Sequence, residues 1–337
     1  MDRRTKEVLK ALALKGIIVG FSEKRIYVSN ERNRIRAAAA LKALGLSDMY
    51  REEDVAVIGE VFALDSAPAS NPPFRTARVR PVMMGVSCGH RDTTAGTLGG
   101  FASKDGEHYV VSNAHVLHPY PLMQKQPHNL GVWQPGPHDA EYDYANEELY
   151  RIADYTHHVR IRSVYDYSSC PVTKALDSVY VALGRRSRVR VIQEPNYVDL
   201  GIARLLGGVD FVNNTFAYLK EGNEKLDARR ARFVGNLFAG TSLGHAVVCK
   251  TVKYWRRYYP EYELMFENTV EEVEENDRVA KDGRTSGATE GTVWDAKCSV
   301  AVGYWLDVAW FEDVVLTYED IRAQGGDSGS PVFLVET

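Results

Sequence analysis

A mainly β fold preceded by a small α/β domain is what the chain predicts, on three observations. Helix-like and strand-like patterns alternate over the first 65 residues. The run Ser66-Ala67-Pro68-Ala69-Ser70-Asn71-Pro72-Pro73 then interrupts them, and its prolines and small residues can neither continue a helix nor fill a core. From residue 82 onward, short apolar segments rich in Val, Ile and aromatic residues recur between glycine-containing turns. With 337 residues and 45% hydrophobic content, the chain has material for more than one core. The expected organisation is a domain over 1–65, a linker over 66–81 and a larger domain over 82–337.

In the first domain, Thr5 to Leu14 carries helical spacing and Gly16 stops it, while Ile17 to Phe21 and Arg25 to Val28 read as strands. Glu31 to Leu44, rich in Ala and Arg, is a strong helix ended by Gly45. Val55 to Leu64 closes the domain as a single strand. The basic face Arg32, Arg34 and Arg36 lacks the interleaved aromatic residues of a nucleic-acid surface and reads as a solvated face.

The second domain opens with strands at Val82 to Ser87 and Ala95 to Phe101, followed by a turn at Lys104-Asp105-Gly106. An insertion spans about 118–198, with a turn at Gln134 to Pro137, a strand within Ile152 to Val164 and an amphipathic helix from Cys170 to Arg186. The acidic stretch Val270 to Asp277 reads as an exposed loop, and Pro331 to Val335 as a final strand.

Three stretches carry chemistry. In Gly325-Gly326-Asp327-Ser328-Gly329-Ser330-Pro331, glycines on both sides of a serine permit a bend that exposes the hydroxyl. The amides of Gly326 and Ser328 are placed to form an oxyanion hole. The same residues would also serve as a plain turn before the last strand. A serine nucleophile needs a base and a carboxylate to orient it. Among nine histidines, His115 stands out, because Tyr109-Val110-Val111 breaks into Ser112-Asn113-Ala114 just before it, which puts the imidazole at a strand end. Asp199, in Tyr197-Val198-Asp199-Leu200-Gly201-Ile202-Ala203, begins an apolar strand and is the candidate carboxylate. Asp177 lies instead among apolar residues at helical spacing and is expected to be remote from His115.

Together, Val110-Val111-Ser112-Asn113-Ala114-His115-Val116-Leu117 and Gly325-Gly326-Asp327-Ser328-Gly329-Ser330-Pro331-Val332 resemble the histidine and serine motifs of trypsin-like (chymotrypsin-fold) serine peptidases. Gly85-Val86-Ser87-Cys88-Gly89-His90, Thr94-Ala95-Gly96-Thr97-Leu98-Gly99-Gly100-Phe101 and Gly283-Arg284-Thr285-Ser286-Gly287-Ala288-Thr289-Glu290-Gly291 resemble a branch containing bacterial and phage peptidases and the narrow-leaf type proteins of plants, which also carry a small N-terminal domain. The resemblance implies two six-stranded β-barrels, a His115, Asp199 and Ser328 triad and hydrolysis of polypeptides without metal or organic cofactor. In that family two more strands usually follow the nucleophile, whereas nine residues follow Ser328 here. Arg232 to Ser242 and His245 to Thr251 resemble those strands, which implies a rearranged second barrel with Phe238, Gly240 and Ser242 walling the substrate pocket. The family pattern also implies Arg322, six residues before the nucleophile, at the pocket base, where a buried guanidinium would favour acidic side chains.

A formal net charge of -4 gives no general attraction to nucleic acid or anionic membrane. Lysines interrupt the apolar residues after Met1, no run reaches membrane-span length, and Cys88, Cys170, Cys249 and Cys298 are scattered like unpaired thiols. The expected location is the cytoplasm. Cys88-Gly89-His90 lacks the partners of a metal site. Two further classes compare less well with the serine peptidase. One is a silent peptidase scaffold binding a protein partner through its N-terminal domain. The other is an esterase, whose Gly-x-Ser-x-Gly elbow is absent, since Asp327-Ser328-Gly329 follows Gly326.

Overall fold

The computed structural model describes residues 1–64, 74–122, 126–164, 179, 194–304 and 307–335. The fold is mainly β, and the chain forms two compact units. One comprises Met1–Phe62, Ile161–Asn196 and Cys298–Glu312, the other Ala63–Arg160, Tyr197–Lys297 and Asp313–Thr337. The first unit is therefore more than a simple N-terminal block, because it recruits two later segments of the chain. The proline-rich run 66–73 and most of the expected 170–186 helix lie outside the described residues.

In the first unit, the helix Arg3–Leu14 starts where the Asp2 carboxylate accepts from the Thr5 amide at 3.0 Å. The helix Glu31–Ala43 starts where Asn30 Oδ1 accepts from the Asn33 amide at 2.9 Å. Gly16 and Gly45 end the two helices in the left-handed region, at φ 68° and 70°. Gly20–Phe21 pairs antiparallel with Ser299 and Val300 and with Ile26–Val28, which pairs parallel with Val55–Val57. Leu9, Leu12, Phe21, Ile26, Leu41 and Trp310 fill the core. The expected continuous strand over 55–64 is instead two, Val55–Val57 and Val61–Ala63, because Gly59 at φ 85° turns the chain between them.

The second unit contains an eight-stranded sheet in the order Glu263–Leu264, Gly100–Lys104, Glu107–Ser112, Gly201–Leu205, Arg151–His158, Gly131–Trp133, Ser87–His90 and Gly96–Thr97. Its Asp105-Gly106 hairpin turn has both residues at positive φ, 51° and 80°, the requirement of a tight two-residue connection. A second set of strands runs Arg278–Gly283, Pro331–Leu334, Arg232–Thr241, Ala246–Cys249 and then the 315–316 part of Asp307–Thr317. Here the rearrangement is visible. Arg232–Thr241 lies antiparallel to Pro331–Leu334, with Phe233 opposite Phe333 and Asn236 opposite Pro331, although it precedes that strand by about ninety residues. It also pairs with Ala246–Cys249. The short strand after the serine turn thus gains neighbours on both sides, Arg232–Thr241 and Arg278–Gly283, and is not left as an open edge.

Candidate active site

His115 sits not on a strand but on a helical turn, Ala114–Leu117, directly after the strand Glu107–Ser112. Asn113 fixes that junction by donating from its side-chain amide to the Asp199 carbonyl at 2.7 Å. Asp199 immediately precedes Gly201–Leu205, whose Gly201 is registered against Ser112, so strand pairing alone brings the two segments together. The Asp199 carboxylate is fully buried. Its Oδ2 lies 2.5 Å from His115 Nδ1 and its Oδ1 accepts from the His115 amide at 3.3 Å. A carboxylate can only accept, so Nδ1 donates, and Nε2 becomes the basic nitrogen of the ring. Behind the carboxylate, the Asp199 amide donates to Cys249 Sγ at 3.3 Å, and burial pushes that thiol well above its ordinary range. Cys249 is a neutral backing group there, a role that its isolated position in the sequence does not reveal.

Ser328 lies in the same unit, on a turn whose flanking glycines both adopt left-handed conformations, Gly326 at φ 89° and Gly329 at φ 95°. A side chain on Gly326 would meet Thr285 Oγ1 at 2.5 Å and Arg284 Nη1 at 2.7 Å, so space as well as backbone angle demands glycine. Thr97 clamps the turn: its amide donates to the Ser328 carbonyl at 2.7 Å and its hydroxyl to the Gly326 carbonyl at 2.9 Å. Within the turn, the Asp327, Gly329 and Ser330 amides donate to Gln324, Leu237 and Asp327 carbonyls. The Gly326 and Ser328 amides meet no acceptor in the chain among the described residues.

Asp327 holds the turn from below. It is fully buried and paired with Lys281 Nζ at 3.3 Å. Its carboxylate also accepts from the amides of Thr285 at 2.9 Å, Ser286 at 3.1 Å and Gln324 at 3.1 Å, and from the Ser286 hydroxyl at 2.5 Å. The Gly-Arg-Thr-Ser-Gly stretch is thus the connection between Arg278–Gly283 and Gly287–Tyr304, aimed at the residue before the serine. Arg284 is buried and holds Asp139 with two donors, one of them Nε at 2.8 Å. The motif included Arg284, but the roles of Lys281, Arg284 and Asp139 lie in long-range partners that the local sequence does not display.

The geometry brings His115 and Asp199 into contact, while the Ser328 hydroxyl, with its one proton, faces two backbone carbonyls, Leu64 at 3.1 Å and Phe238 at 3.3 Å, and not the imidazole. Phe238 and Gly240 are buried on Arg232–Thr241, and Ser242 is exposed just beyond it. Arg322 is exposed too, in a left-handed conformation at φ 54° that ends the turn Glu319–Ile321. The expected buried guanidinium at a pocket base therefore does not form, because the backbone there points the residue to solvent. Asp177 lies outside the described residues. Cys88 is buried with its thiol pushed up to about 12 by desolvation, and both His90 ring nitrogens are engaged by backbone, Nε2 with the Asn129 carbonyl at 2.8 Å and Nδ1 with the Asp92 amide at 3.0 Å. No group of metal-ligating side chains occurs among the described residues.

The fold and site together define a mainly β protein with a carboxylate-oriented histidine and a serine on a constrained turn in one unit. No family model and no curated protein matches the chain. Among solved structures, similarity is found to a glutamic-acid-specific serine protease described as using a novel histidine triad in substrate binding, at 12% identity and TM-score 0.34, covering 75% of this chain and 93% of that one. The Nocardiopsis protease NAPase is similar at 10% identity and TM-score 0.30, over 75% of this chain and 92% of that one.

Proposed function

We propose that this protein is a trypsin-like serine endopeptidase. The observation that carries the reading is the His115 imidazole held through Nδ1 at 2.5 Å by the buried Asp199 carboxylate, in the same unit as a serine turn with two amides that meet no acceptor among the described residues. In the mechanism, Ser328 Oγ attacks the substrate carbonyl carbon while His115 Nε2 takes the hydroxyl proton. The Gly326 and Ser328 amides receive the developing oxyanion. Collapse of the tetrahedral intermediate breaks the C–N bond as the imidazolium returns the proton to the leaving amine. Water then repeats the sequence on the acyl-enzyme. No metal or organic cofactor takes part. Asp199 keeps the imidazole in the productive tautomer and stabilises its charged form.

The substrate is a polypeptide, and the first unit is the surface on which we expect a protein partner. The motif resemblance supports membership in the bacterial and phage branch that includes narrow-leaf type proteins. Cys88 and Cys249 are buried thiols outside any disulfide, which supports action in the reducing cytoplasm. Among the described residues no helix is long and apolar enough to cross a membrane.

A second reading, a silent peptidase scaffold that binds proteins, is favoured by one observation: both Ser328 hydroxyl bonds go to carbonyls and neither to His115. Labelling with a fluorophosphonate probe decides between the two. We expect Ser328 to be labelled in the wild type and the label to vanish in Ser328→Ala. Asp199→Asn should fold yet turn over peptides about 10⁴-fold more slowly, because an amide at that position favours the wrong tautomer. A wild type that never reacts, with or without activating mutations, supports the scaffold.

A further inference from the structure

Leu64 is the residue that the mechanism leaves unexplained. It belongs to the same unit as the serine turn, follows the extended segment that ends at Ala63, and is 4% exposed. Its carbonyl accepts the Ser328 hydroxyl at 3.1 Å. Its side chain abuts Gly240, where an added Cβ would meet Leu64 Cδ2 at 2.8 Å and Cδ1 at 3.3 Å. The side chain belongs to an apolar cluster with Leu237, Ala246, Val248 and Ile321. One residue thus presents its carbonyl to the nucleophile and its side chain to the wall beside Phe238 and Gly240. A substrate residue on the acyl side of the scissile bond would present its side chain to the same wall, with its carbonyl oxygen turned to the Gly326 and Ser328 amides.

We infer that the acyl-side pocket takes a leucine-sized aliphatic side chain, and that Leu64 of this chain is its resident occupant. The inference rests on the serine peptidase reading and adds its specificity. Chemistry favours an aliphatic guest over a charged one. The surrounding side chains are apolar, Gly240 leaves room that any larger residue would fill, and the nearby Arg322 is exposed rather than buried as a counter-charge. The occupant also explains the orientation of the nucleophile. The Ser328 hydroxyl faces the Leu64 and Phe238 carbonyl oxygens and not a base, so it is idle while Leu64 is seated. A substrate must displace a competitor tethered to the same chain, whose effective concentration is high because the linkage is intramolecular.

The test uses the full chain and two readouts. The first is the rate of fluorophosphonate labelling of Ser328 in wild type and in Leu64→Asp, whose charge the apolar pocket rejects; the variant should label on the order of tenfold faster. The second is protection of wild-type Ser328 by short peptide aldehydes ending in leucine, glutamate or arginine. The leucine aldehyde should protect at a concentration on the order of tenfold lower than the other two, the discrimination expected of an apolar pocket. Equal labelling of wild type and a folded Leu64→Asp, or a preference for the glutamate or arginine aldehyde, overturns the inference while leaving a live hydrolase. If a thermal melt shows that Leu64→Asp does not fold, the aldehyde ranking on the wild type decides alone. Failure of both proteins to react with the probe overturns the peptidase reading, and the pocket assignment with it.

Discussion

Lys281 shows how much one buried residue can decide. Its ammonium is completely enclosed and faces the equally enclosed Asp327 carboxylate one position before the nucleophile. It also donates to the Ser286 hydroxyl and, at 3.3 Å, to the Gly287 carbonyl. Removing one partner of a buried pair leaves the other charge uncompensated, which costs far more than the pair contributes. Lys281→Met is therefore expected to lose about 3 kcal/mol in urea unfolding and to slow probe labelling of Ser328, because the turn loses its anchor. Unchanged stability and labelling would show that the amides of Thr285, Ser286 and Gln324 hold Asp327 unaided.

At the scale of elements, the strand Arg232–Thr241 carries the site. It pairs with Ala246–Cys249 on one side and Pro331–Leu334 on the other, and offers the Phe238 carbonyl to Ser328. Its contact with Ala246–Cys249 is close enough that a Cβ at Gly235 would overlap the Cys249 carbonyl, a backbone atom that cannot swing aside. Gly235→Ala should destabilise the unit by about 3 kcal/mol, the upper end for overpacking, measured as a shift of the urea midpoint. Motif resemblance made these residues legible as a strand pair, and the apolar run before His115 made the end of its strand legible. The strand stops at Ser112, just before the imidazole, but the helical turn that follows, with the Asn113 side chain tied to the Asp199 carbonyl, was not legible. The tie comes from a residue distant in sequence, which local periodicity does not register.

For the whole molecule, the histidines set the response to pH. Burial is the largest influence on His90, His158 and His245 and lowers all three below the ordinary 6.5. His158 is typical: its Nε2 bonds the Pro121 carbonyl at 3.2 Å and its Nδ1 the Tyr155 hydroxyl at 2.6 Å, an arrangement that the neutral ring satisfies. With folded values depressed, the unfolded chain binds more protons below about 6.5, so their contribution is complete above that pH and is lost as the pH falls through the folded values. Melting temperature should therefore fall progressively as the pH drops below about 6.5, and His158→Gln should flatten the slope. A melting temperature independent of pH in that window contradicts the argument.

The sequence by itself determined what depends on neighbouring residues. Caps and glycines placed the two helices of the first unit, Asp105-Gly106 placed a hairpin, and the residues around His115, Asp199 and Ser328 carried recognisable motifs because each needs a particular local backbone. Motif resemblance also anticipated the strand Arg232–Thr241 beside Pro331–Leu334. Only the tertiary structure decided which distant groups meet. Leu64 reaches Ser328 across 264 residues, Lys281 pairs with Asp327, Cys249 backs Asp199, and Arg322 faces solvent. Packing and sheet register govern those meetings, and they depend on the whole chain closing around its cores rather than on any stretch that a pattern can read.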